Sequence, residues 1–106
     1  MPHQYSNLIK NPEEYYAKAV EHSKVWLLNR EFEDLLAVMG CSDISEVTFA
    51  ADSIGIVFPM DLMDEYTIET KILFYNLKKS PTELGYYILI EDENGTAVDD
   101  CISIYR

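Results

Sequence analysis

Tyr86-Tyr87-Ile88-Leu89-Ile90-Glu91-Asp92-Glu93-Asn94-Gly95-Thr96-Ala97-Val98-Asp99-Asp100-Cys101-Ile102-Ser103-Ile104-Tyr105 is the stretch that decides the fold. Two runs rich in β-branched and aromatic residues, 86–92 and 97–105, flank Asn94-Gly95. Asn-Gly is the preferred pair for a two-residue type I′ turn, because both positions need positive φ. The stretch therefore predicts a β-hairpin, and the chain before it reads as the sheet to which that hairpin belongs.

Working outward, Tyr66 to Asn76 predicts a long strand with Tyr66, Ile68, Ile72 and Phe74 on one face and Thr67, Glu69, Lys71, Leu73 and Tyr75 on the other. Lys78 to Thr82 reads as the loop leading to the hairpin. Before Tyr66 lies an acidic loop, Asp61 to Glu65. Val47, Phe49 and Ala51 alternate with polar neighbours and predict a strand, Asp52-Ser53 a turn, and Ile54, Ile56 and Phe58 a further strand that Pro59 helps to end. The count is about five strands.

Upstream of Gly40 the period is helical. Asn11-Pro12-Glu13-Glu14 is a helix start, with a capping residue, proline at the first helical position and acids against the helix dipole; Glu14 stands at the capping-box position. Tyr16, Ala19, Val20 and Leu27, with Trp26 nearby, form one apolar stripe. Phe32, Leu35, Leu36 and Met39 form a second, which ends at Gly40, a natural residue just past a helix end. The stripes fall out of phase near Asn29, which fits two helices with Asn29 capping the second, or one kinked helix; we read two. The expected fold is α+β: two N-terminal helices, then an antiparallel sheet of about five strands ending in the Asn-Gly hairpin. One domain spans 1–106, with residues 1–10 an arm, 11–40 helical and 46–106 a β meander.

Charge bounds the function. Nineteen Asp and Glu against eight Lys and Arg give a net charge of −11. Such a field repels nucleic acid and anionic membranes, and it speeds encounter with basic proteins. No run of about 18 apolar residues is present, and the polar start of the chain lacks the pattern of a signal peptide. A cytoplasmic protein is expected. Cys41 and Cys101 are far apart in sequence, and in that compartment both are expected reduced.

Catalytic motifs are lacking. His3 and His22 have no suggestive neighbours, Cys41 follows a helix C-terminus where the dipole disfavours a thiolate, and Cys101 alternates with apolar residues in a strand. Asp61-Leu62-Met63-Asp64-Glu65 lacks the ligand alternation and glycine of a calcium loop, and the hairpin explains Glu91 to Gly95 more simply. No phosphate loop, nucleophile elbow or zinc motif occurs. No cofactor, no metal and no enzymatic activity are expected.

The acids concentrate on the β half. Residues 41–77 carry seven acids and one base, and residues 78–106 six acids and three bases. Eight tyrosines add side chains favoured in interface cores. Tyr86 and Tyr87 must point to opposite faces, so one of them is expected exposed. The candidate partner-binding residues are Asp61, Asp64, Glu65, Glu69, Tyr87, Glu91, Asp92 and Glu93. An exposed edge strand offers a second route, by pairing with a partner's strand or with another copy.

Small size, strong acidity, the absence of catalytic motifs and the tyrosine-rich hairpin around Tyr86 to Gly95 together resemble bacterial immunity proteins of contact-dependent inhibition and other polymorphic toxin systems. The resemblance implies a cognate toxin domain, often a basic nuclease, blocked by covering or flanking its active site. The acids would then meet the Lys and Arg that otherwise grip nucleic acid. Two other readings stand beside it: a nucleic-acid mimic that inhibits a defence nuclease, as phage-encoded anti-CRISPR-like inhibitors do, and a small enzyme or ligand-binding domain with a cleft between helices and sheet.

Overall fold

The computed structural model describes residues 9, 11–29, 31, 33–58 and 65–106. It is an α+β fold in two layers. Helix α1 (Pro12–Leu28), a single helical turn α2 (Leu35–Val38) and a 3-10 turn at Ile44–Glu46 precede four strands: β1 (Thr48–Val57), β2 (Thr67–Tyr75), β3 (Glu83–Asp92) and β4 (Ala97–Ile104). The strands pair in sequence order, each antiparallel to the next.

Among the described residues one main helix and four strands stand where the sequence predicts two helices and about five strands. The strand count falls because Asp52-Ser53 is a β-bulge inside β1, not a turn. Ala51 pairs with Ile72 and Ser53 with Lys71, which leaves Asp52 unopposed. A bulge inserts one residue and so inverts the in-out parity beyond it. That is why the apolar positions switch from odd (Phe49, Ala51) to even (Ile54, Ile56) while facing the same side of the sheet.

The helices differ for a related reason. Asn11 does cap α1, with Pro12 at its start, but its side chain makes no capping bond. Asn29 ends α1 instead of starting the next helix. Asp34 caps α2, accepting from the Ala37 backbone N–H at 3.2 Å. Gly40 lies past its end at φ 76°, as its position predicted.

The hairpin is where the sequence placed it, but its turn is not type I′. Among the described residues only Gly40 and Gly95 have positive φ, so Asn94 does not. The Gly95 N–H donates to the Asp92 carbonyl at 3.0 Å, and the Asp92 carboxylate accepts from the N–H groups of Asn94 and Thr96, each at 2.9 Å. The side chain of Asp92 builds the turn, and one left-handed glycine closes it.

The core lies between α1 and one face of the sheet. Ala19 and Leu27 of α1, Leu36, Met39, Cys41 and Val47 pack with Ile72, Phe74, Tyr87 and Leu89. Phe49 and Phe74 meet edge to face across the β1–β2 pair, 5.7 Å between ring centres. No helix among the described residues is long and apolar enough to cross a membrane.

Candidate protein-binding surface

Among the described residues every helical element packs on the same side of the sheet, and these residues leave β3 with one covered face and one open face. Its alternation makes the consequence legible. Tyr87, Leu89 and Glu91 point to the helix and are buried, while Tyr86, Ile88 and Ile90 point to the open face and are half-buried. Cross-strand rows on the open face follow from the register: Ala50–Leu73–Tyr86–Ser103, then Ser53–Lys71–Ile88–Cys101, then Gly55–Glu69–Ile90–Asp99. An apolar strip of Leu73, Tyr86, Ile88 and Ile90 therefore runs along the middle of this face, with Glu69 and Asp99 across its far row. Ile88 floors a shallow depression of about 220 Å³ beside Val57, Glu69 and Lys71.

Lys71 is the one basic residue in the four strands. Its ammonium sits 4.7 Å from the centre of the Tyr86 ring and 3.9 Å from the Asp52 carboxylate. Tyr86 leans on Tyr105, ring centres 6.2 Å apart, and the Tyr105 hydroxyl donates to Glu83. That bond and partial loss of water push the Tyr105 hydroxyl up to about 12. These contacts fix two aromatic side chains at one end of the strip.

The expected site residues divide. Glu65 is exposed just before β2, Glu69 stands on the open face, and Glu93 is exposed at the hairpin tip. Pairing of Thr67 with Asp92 brings Glu65 and Glu93 to the same end of the sheet. Asp61 and Asp64 lie outside the described residues. Tyr87 and Glu91 are turned inward, away from any open surface, and Asp92 is half-buried at the turn. Tyr87 is fully buried, and its hydroxyl donates to Asp100 at 2.8 Å. Burial first, then that hydrogen bond, raises its pKa well above the ordinary tyrosine value. Glu91 is 1% exposed and paired with Lys18 at 2.7 Å. Asp92 is spent on the turn. In the Tyr86-Tyr87 pair it is Tyr86 that looks outward.

Leu73, Tyr86, Ile88, Ile90, Lys71 and Asp99 were not among the residues expected to bind a partner, although a signal was present. Tyr86-Tyr87-Ile88-Leu89-Ile90 is apolar at every position, the pattern of a strand covered on both faces. The helical layer covers one.

A second concavity lies on the helix side of β4. Trp26, Asn29, Leu35, Ile102 and Ile104 line a groove of about 300 Å³, and the Glu33–Arg106 ion pair stands at its rim. Arg106 holds the Glu33 carboxyl below the usual carboxylate range. The Trp26 indole N–H donates to the same Asp100 oxygen that accepts from Tyr87, at 2.8 Å. Asp100 thus ties the end of α1 to β3 and β4. Replacing Tyr87 by Phe removes one charge-assisted bond and should cost about 1.5 kcal/mol, read as a lower urea midpoint at unchanged slope.

The thiols differ as their positions require. Cys41 is buried beside the Asn76 amide, which donates to its sulfur at 3.5 Å, and burial pushes the thiol up. Cys101 is exposed on the open face. In the folded protein a thiol reagent should label Cys101 alone, and Cys41 only after unfolding; two equally fast thiols would contradict this packing.

His22 is exposed on α1, and His3 lies outside the described residues. Among the described residues no three His, Cys, Asp or Glu converge as metal ligands would. Comparison with protein-family models, curated proteins and solved structures finds no match.

Proposed function

We propose that this chain is an acidic inhibitor that docks a basic protein on the open face of its sheet, acting in the cytoplasm in the manner of an immunity protein that neutralises a cognate toxin domain, a nuclease by preference. The observation that carries the reading is the run Tyr86 to Ile90, apolar toward both faces where the helical layer covers only one. A partner seated there buries Leu73, Tyr86, Ile88 and Ile90 as an apolar interface core. Glu65, Glu69, Glu93 and Asp99 form the polar rim. The net charge of −11 favours a basic partner and disfavours a second copy of the chain. An apolar centre also favours a protein surface over mimicry of a polyanion, whose contacts would be acidic throughout.

The test is co-expression with the C-terminal domain encoded by the reading frame immediately upstream, scored for complex formation and cell survival. A stable complex with rescue is the expected result; neither toxicity nor complex would remove the immunity reading. Within a complex, Ile88→Asp should weaken binding about 30-fold or more, as loss of a central anchor does. Glu69→Lys with Asp99→Lys should slow association about tenfold at low salt and flatten its salt dependence. Binding untouched by all three substitutions would place the interface elsewhere.

A further inference from the structure

β4 is an edge strand, and its outer side has no pairing strand among the described residues. From Asp99 to Ile104 its pairing with β3 is uninterrupted over six positions, so its outer backbone groups form a regular ladder. The other edge is less suited. The bulge at Asp52 breaks β1 in mid-strand, and bulges are a common device for spoiling an edge.

Side chains along β4 alternate in a way that defines an occupant. Asp100, Ile102 and Ile104 face the helix side, where the last two form a wall of the 300 Å³ groove beside Trp26. Asp99, Cys101 and Ser103 face the open side. Trp26 is 43% exposed, yet its indole is held by the bond to Asp100. A large aromatic surface is thus fixed next to an unpaired edge.

We infer that β4 receives an extended segment of the basic partner as a fifth strand, with alternate residues apolar and Lys or Arg. The apolar side chains enter the groove against Trp26 and Ile102. The basic ones lie on the open side over Asp99, on the same face as Ile90 and Glu69. This inference rests on the proposed function and names the element of the partner that is gripped. The backbone ladder supplies affinity, and the alternation supplies selectivity. Charge disfavours a second copy as the occupant, because two chains that each carry −11 repel one another.

The single tryptophan makes the inference testable without knowing the partner. The intact chain is titrated with a blocked heptapeptide of alternating lysine and valine, with Trp26 emission as the signal. Hydrogen exchange at β4 amides is followed in parallel. The expected result is a saturable change in emission and slower exchange along 99–104. The same peptide N-methylated at its edge-facing amides should bind about tenfold or more weakly, since two or so backbone bonds of about 1 kcal/mol are lost. Ile102→Lys should weaken the unmodified peptide by a similar factor. Equal binding of both peptides overturns strand addition, as does failure of the unmodified peptide to bind at low salt, or protection of β1 in place of β4. The co-expression complex separates this from the broader reading: a complex that forms without protecting β4 defeats the fifth strand and leaves the inhibitor function standing.

Discussion

Lys18→Ala should cost this protein about 3 kcal/mol of stability, the lower end of what breaking a buried ion pair costs when one charge stays behind. Glu91 is that charge. It sits on the helix face of β3 at 1% exposure, one oxygen 2.7 Å from the Lys18 ammonium and the other, Oε1, without a hydrogen-bond partner. Lys18 also donates to the Gly95 carbonyl at 3.2 Å, so one side chain fastens α1 to the hairpin over 70 residues away in sequence. The lower end applies because the Lys18 side chain is half exposed, and water can follow it out. For a domain of this size the loss corresponds to a fall in Tm of about 15 °C. The double variant Lys18→Met with Glu91→Leu removes both charges and should lie within about 1 kcal/mol of the parent, because apolar replacements of a buried pair are often neutral. Thermal and urea unfolding of the three proteins decide the matter; a single variant no worse than the double would mean that the carboxylate is not truly buried.

The same contact sets an alkaline limit. The bond to Glu91 raises Lys18 above its ordinary value of 10.5. Burial raises Tyr87 above its ordinary 10.0. A group whose pKa is higher folded than unfolded stabilises fully below its unfolded value and loses that contribution as pH climbs toward the folded one. Stability should therefore hold up to about pH 10 and then fall, and Tyr87→Phe should make the fall shallower. A urea midpoint flat through that range would contradict both assignments.

Gly85→Ala should cost about 3 kcal/mol, the upper part of the range for overpacking. A Cβ at this position would lie 2.3 Å from the Ser103 carbonyl oxygen and 3.0 Å from the Ile104 Cα. Both are backbone atoms of the neighbouring strand, so no rotamer change relieves the clash. β4 would have to move off β3 at the Gly85–Ile104 pair, which is also the end of the strand that walls the Trp26 groove. Urea unfolding gives the magnitude, and faster amide exchange confined to β4 gives the place. A loss below about 1 kcal/mol would show that the two strands are not so close.

The hairpin was legible because Asn94-Gly95 between two β-rich runs has few alternatives. The helix was legible because Pro12 and the spacing from Tyr16 to Leu27 fit nothing else. The break at Asp52 was visible as a change of parity, but a turn and a bulge leave the same trace in sequence. Only the continuous pairing of β1 with β2 separates them. The second helix was overestimated because its apolar stripe persists where the backbone forms a single turn.

The site was less legible. Opposite orientation of Tyr86 and Tyr87 follows from strand geometry alone. Which of them faces outward depends on the side that α1 covers, and that is fixed by packing distant in sequence. Glu91 looks like one more acid in an exposed turn, yet its register with Ile68 sends it inward to meet Lys18. Asp92, next to it, is consumed by the backbone of the turn.

The residues by themselves determined the class of fold, the hairpin, the main helix and a surface charge that favours basic partners. All of these rest on local sterics, periodicity and composition, which act wherever the chain happens to lie. Tertiary structure alone decided which face of β3 the described helices leave open, which acids stand exposed, and that Trp26 stands beside the edge of β4. Each of those depends on contacts between segments dozens of residues apart, whose pairing no local pattern encodes.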